Sequence, residues 1–150
     1  MRRPLLRYLW ASPATLVGLI LASIAGVLGA KAAMSDGIIE VAGGRLGRCL
    51  SRLPGALRFH AITFGHVIIG IDHVAITGCR AHEQVHVRQY ERWGLLFFPL
   101  YLGSSLWQFL RGRSPYWDNH FEQQAYRECA TGIARSPEPR APKDSSHDTD

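Results

Sequence analysis

The stretch Ala81-His82-Glu83-Gln84-Val85-His86-Val87 contains the pattern H-E-x-x-H. On a helix, residues four apart stand on one face, so His82 and His86 can both reach a single tetrahedral ion. Glu83 lies about 100° around the helix from His82. It therefore addresses a water beside the ion rather than the ion itself. Zinc lowers the pKa of such a water and polarises a carbonyl, while a carboxylate takes and delivers the proton. The spacing predicts His82 and His86 as Zn2+ ligands and Glu83 as general base.

A third ligand is expected further along. In Ser114-Pro115-Tyr116-Trp117-Asp118-Asn119-His120-Phe121-Glu122, Ser114 as N-cap and Pro115 at the first helical position announce a helix. Glu122 then shares a face with Ala125, Tyr126 and Cys129. A carboxylate on an apolar stripe is costly unless it is paired or metal-bound, so Glu122 is the expected third ligand. His120 is the second choice. Cys79, one turn before His82, would instead make a Cys/His structural site. Glu91 falls on the opposite face of the motif helix, and Glu128 points away from Glu122. The plainer alternative is a solvated helix in which Glu83 pairs with Arg80 or Arg88.

The elements that must position these residues are also legible in part. Gly37 to Gly44 is a β-prone run closed by a Gly-Gly turn signal. Arg45 to Arg58 reads as loop or a short amphipathic helix, broken by Pro54-Gly55. From Phe59 to Ile76 the β-branched content rises, with glycines dividing it into two or three strands. A small sheet of three or four strands should lead into a helix beginning near Thr77-Gly78 and running to about Trp93. Gly94 to Leu110 has 17 residues without charge. A simple crossing there would put His86 and Glu122 on opposite sides of a bilayer, where they could not share an ion. The first expectation is an interfacial or core helix, the second a site within the membrane.

These features resemble the gluzincins, zinc hydrolases with H-E-x-x-H on one helix and a glutamate ligand on a later one. The resemblance rests on His82-Glu83-Gln84-Val85-His86 and the segment Asn119 to Glu128. The strand-rich Thr63 to Gly70 is similar to the substrate-edge strand that precedes the motif in such enzymes. It implies zinc held by His82, His86 and Glu122, with Glu83 as base, in a peptidase acting on a peptide or protein substrate. Tyr126 stands where thermolysin-like members carry an aspartate that orients a ligand. Gln89 and Arg92 stand where the extended metzincin motif has glycine and a third histidine. Tyr101, Tyr116 and His120 are candidates for steadying an oxyanion.

The ends of the chain bound the remainder. Tyr8 to Ala30 is uncharged over 23 residues, with Arg2, Arg3 and Arg7 before it and Lys31 after it. This is long enough to cross a bilayer. An uncleaved anchor is expected for residues 1–35, with a cleaved signal peptide as the competing reading and a buried core helix as the third, since a domain this small could not cover such a helix all round. The arginines before the span favour the bulk of the chain on the extracytoplasmic side. Residues 36–135 would form the metallohydrolase domain, and residues 136–150, rich in Pro, Ser and charge, a disordered tail. The charge of +5 comes from fifteen scattered arginines, with no basic tract or nucleic-acid motif. Membrane lipid is thus the expected partner, not nucleic acid. Three cysteines at unrelated spacings make no disulfide framework. The expected fold class is α+β and zincin-like: a small β-sheet, an H-E-x-x-H helix and a second ligand-bearing helix, behind an N-terminal transmembrane helix. The contrasting possibility is a non-catalytic membrane protein whose H-E-x-x-H helix is structural or only binds metal.

Overall fold

The computed structural model describes residues 3–53 and 60–131. The expected tail and the Pro54-Gly55 break lie outside the described residues. The chain is α+β, with a small mixed sheet and an apolar amino-terminal helix. It runs α1 (Arg3–Val27), β1 (Lys31–Ser35), β2 (Ile38–Ala42), α2 (Gly44–Ser51), β3 (Ala61–Phe64), β4 (Val67–Gly70) and α3 (His73–Trp93). A 3-10 turn (Gly94–Leu96) then leads into α4 (Phe97–Leu110), and α5 (His120–Ala130) follows after a loop.

The strands form one sheet in the order β1-β2-β4-β3. The pairs β1–β2 and β3–β4 are antiparallel, and β2 and β4 run parallel. All four residues of β4 are buried, because both faces of this central strand are covered. Side chains alternate across a strand, which sorts the two faces. Ile38 and Ala42 of β2, Ile68 of β4, and Ile76 and Val87 of α3 make one cluster on the α3 face. On the other face α1 approaches closely, with Gly18 set against Phe64 and Val67, where any larger side chain would collide.

Three expectations meet a different outcome. Lys31–Ser35, assigned to the end of the anchor, is an edge strand paired to β2. The motif helix begins at His73, not near Thr77. Asp72 caps it by accepting the Ala75 N–H at 2.7 Å. The β-branched residues that suggested a strand fill its first turns, where packing of Ile76 under the sheet overrides local preference. Ser114 and Pro115 start only a turn, in which Ser114 Oγ accepts the Trp117 N–H. The helix bearing Glu122 starts at His120 and is capped by Asn119.

α1 is long and apolar enough to span a membrane from Leu5 to Val27. It is not a detached tether. Ala11 and Ala14 are buried with Tyr90, Phe97 and Phe121, tying α1 to α3, α4 and α5. The uncharged stretch 94–110 is helical and buries only part of its surface: Phe97 is buried, while Phe98, Leu102, Leu106 and Phe109 are at least half exposed.

Candidate metal centre

His82 and His86 lie on α3 with their rings 4.8 Å apart, edge to face. α5 crosses beside them and delivers Glu122 from its first turn. That crossing is fixed by Asn119, which is fully buried. Its side-chain amide donates to Tyr101 O at 3.0 Å and Ser105 Oγ at 2.7 Å, while its oxygen caps α5 through Phe121 N–H. The start of α5 is therefore pinned to the middle of α4.

The resulting approaches are 3.1 Å between the two Nε2 atoms, 3.1 Å from His82 Nε2 to Glu122 Oε2, and 3.4 Å from His86 Nε2 to Glu122 Oε1. One donor atom from each residue falls within 4.8 Å of the others. Nitrogen and oxygen ligands about 2.0–2.1 Å from a tetrahedral ion stand about 3.3 Å apart, so the spacing suits one small cation. The hydrogen bonding agrees. Glu122 Oε2 is buried and makes no hydrogen bond, although His82 Nε2 is close, and buried His82 Nδ1 also lacks a partner. Unpaired buried polar atoms are uncommon, and here one of them faces the shared centre. The three residues fit a metal.

The supporting contacts favour the same use. Gln89 donates through its amide nitrogen to Phe121 O (3.1 Å) and Gln124 Oε1 (3.2 Å). Its oxygen therefore faces His86 Nδ1 at 2.8 Å, so Nδ1 donates and Nε2 keeps its lone pair for the centre. Tyr101 donates its hydroxyl to Glu122 Oε1 at 2.7 Å. Tyr126 packs its ring against His82 at 4.6 Å. Glu83 is buried beside the cluster, and Thr63 Oγ1 on β3 donates to its Oε2 at 2.8 Å.

The supporting roles of Gln89 and Thr63 escaped the sequence reading. Gln89 sits three residues after His86, a helical neighbour spacing that would have found it. Thr63 is twenty residues from Glu83 and carries no comparable signal. The remaining candidates lie elsewhere. His120 is exposed, with its backbone N–H on Ser104 Oγ. Cys79 donates to Ala75 O, and burial, aided by Glu83, pushes its thiol up to about 12. Glu91 faces His66 and Arg7, and Glu128 pairs with Arg88. Tyr116 sets its hydroxyl 3.3 Å from that of Tyr126, and its phenol feels Glu122.

Charge is coupled within the cluster. Burial favours a neutral Glu122, but the imidazoles of His82 and His86, at 3.1 and 3.4 Å, outweigh it and hold the carboxyl far below its usual range. Burial likewise opposes a charged His86, and Glu122 outweighs it, so this imidazole is raised. Without metal, Glu122 stabilises the fold above its ordinary 4.5, and this is lost as pH falls through its lower folded value. His86 contributes fully below its ordinary 6.5, and this is lost as pH rises through its higher folded value. The cluster's contribution to metal-free stability is thus expected to peak between these two values. Denaturant unfolding of wild type and Glu122→Gln across pH checks this. A difference that keeps growing above the window contradicts it.

Compared with protein-family models, curated proteins and solved structures, the chain matches none of them.

Proposed function

We propose that the chain is a membrane-associated, zinc-dependent hydrolase, a minimal zincin-like enzyme of gluzincin type that cleaves peptide bonds in peptide or protein substrates. The observation that carries this reading is the convergence of His82, His86 and Glu122, with Glu122 Oε2 buried 3.1 Å from His82 Nε2. A small sheet followed by the H-E-x-x-H helix and then a glutamate-bearing helix supports the zincin-like assignment. Zinc in this set would acidify a water and polarise the scissile carbonyl.

The chain's own residues supply the rest. Thr63 holds one oxygen of Glu83, which orients the carboxylate and leaves the other oxygen for the proton. Gln89 fixes the tautomer and angle of His86. The Tyr101 hydroxyl sits on Glu122 at 2.7 Å, and we assign it as the donor to an oxyanion. α1 supplies the membrane association. The arginines at its start suit the headgroups of an anionic bilayer.

Metal content of detergent-purified protein tests the reading. About one zinc per chain is expected in wild type, with loss in both His86→Ala and Glu122→Ala. Wild-type protein that takes up no stoichiometric zinc, after chelator-free purification and zinc loading, would refute it.

A further inference from the structure

The packing of α1 bears on how it meets the bilayer. Its buried positions, Ala11, Ala14, Gly18 and Ala25, form one narrow stripe of small residues. From Thr15 onward that stripe lies on the sheet. Gly65 abuts Thr15, Thr15 Oγ1 accepts the His66 N–H at 3.2 Å, and Gly18 meets Phe64 and Val67. Beyond the helix, Gly44 is wedged against Leu28 to Ala30. The sheet therefore sits alongside α1, level with its carboxyl-terminal half.

Were α1 to cross a hydrocarbon core in this arrangement, the sheet would lie in the core too. Its edge strands β1 and β3 each have one side unpaired, and β1 is exposed and begins with Lys31. Open sheet edges facing lipid do not occur in a bilayer interior, because their N–H and C=O groups find no partners there. The outer face of α1 bears no such penalty. It presents Leu9, Leu16, Val17, Ile20 and Ile24, all exposed.

The surface continues onto α4. Trp10 packs over Gly94, where φ is +58° and no side chain would fit, so α1 and the 3-10 turn adjoin. Leu95 and Leu96 extend the exposed apolar area, followed by Phe98, Leu102 and Leu106. An apolar surface of this extent calls for a partner. Its borders indicate which. The Arg92 guanidinium lies over Trp93 at 5.5 Å and that of Arg111 over Trp107 at 5.2 Å, at either end of the segment. Tryptophan with a neighbouring arginine suits the headgroup layer, and arginine is drawn to anionic lipid.

We infer that α1 and α4 lie along one face of an anionic bilayer and seat the chain on it, without α1 crossing. The His82–His86–Glu122 cluster then works at the lipid surface, on the same side as both ends of α1. This follows from packing alone and is independent of bound metal, so its test reads no activity.

The full chain, with an epitope at each terminus, is expressed in bacteria and isolated in sealed and in opened spheroplasts. Protease access reports the two epitopes. A membrane-impermeant maleimide, read by peptide mass, reports Cys49, which is exposed and lies between α1 and α4. All three reporters are expected on one side. Purified protein should also float with phosphatidylglycerol-containing vesicles, and lose most of that binding in pure phosphatidylcholine. An amino-terminal epitope on the side opposite Cys49 and the carboxyl terminus would establish a single span and overturn the inference. Cys49 opposite both termini would establish two spans and overturn it equally. Recovery as a detergent-free dimer that does not float would show that a second copy covers the surface, and would overturn it as well.

Discussion

Glu83→Gln is expected to lower peptide hydrolysis about 10²–10⁴-fold, the usual contribution of a positioned general base, while leaving zinc content unchanged. The two effects separate because Glu83 touches Thr63 and stands outside the three-residue ligand set. Glutamine keeps the shape and can still receive the Thr63 hydroxyl, so the fold should persist. What it loses is the ability to accept a proton. A fluorogenic peptide library, screened with zinc-loaded wild type and mutant together, supplies the measurement. Equal cleavage by both would remove Glu83 from the chemistry. Loss of zinc along with activity would mean that the glutamine had disturbed the ligands.

The second large effect lies away from the centre. Arg80 grips Glu40 with two hydrogen bonds, Nε to Oε1 at 2.7 Å and a terminal nitrogen to Oε2 at 2.9 Å. Glu40 is buried on β2, on the face turned toward α3, and this pair is its charge partner. Arg80→Met would strand a carboxylate between helix and sheet. A loss on the order of 3 kcal/mol is expected, at the low end for a buried pair because Arg80 remains 30% exposed. Glu40→Leu combined with Arg80→Met should recover most of it, since the stranded charge is removed and apolar contact replaces it. Denaturant unfolding of the two single mutants and the double mutant reads both results. An Arg80→Met protein within about 0.5 kcal/mol of wild type would show that water reaches Glu40.

What the sequence disclosed follows from the range over which each signal acts. The candidate ligands could be named because H-E-x-x-H is a local pattern whose geometry the helix itself supplies. Glu122 stood out because a carboxylate among apolar neighbours needs an explanation. The sheet was anticipated from β-branched runs, but its first strand was not. Lys31–Ser35 is short, rich in small residues and exposed, and only pairing to β2 makes it a strand. Two helix starts were misplaced for related reasons. Asp72 is a good cap hidden ahead of Val74, Ala75, Ile76 and Thr77, which resemble a strand. Ser114-Pro115 has the form of a helix start, yet the chain turns there and begins α5 only after Asn119 has found Tyr101 and Ser105. Thr63 with Glu83, and Glu40 with Arg80, are partners across long stretches of chain, and no periodicity announces them.

The small-residue stripe of α1 also bears on how the chain reaches its native form. Synthesis makes α1 before any of its partners exist. Thr15 waits 51 residues for His66, and Trp10 waits longer still for Gly94. Contacts between such distant segments carry a large loop-closure cost and form slowly. During that interval an apolar helix in water is a site for aggregation. A lipid surface that accepts the outer face of α1 as it emerges would shelter the helix and hold it to two dimensions. The inner stripe would stay open for the sheet to close upon, so a lipid surface would act as a folding template.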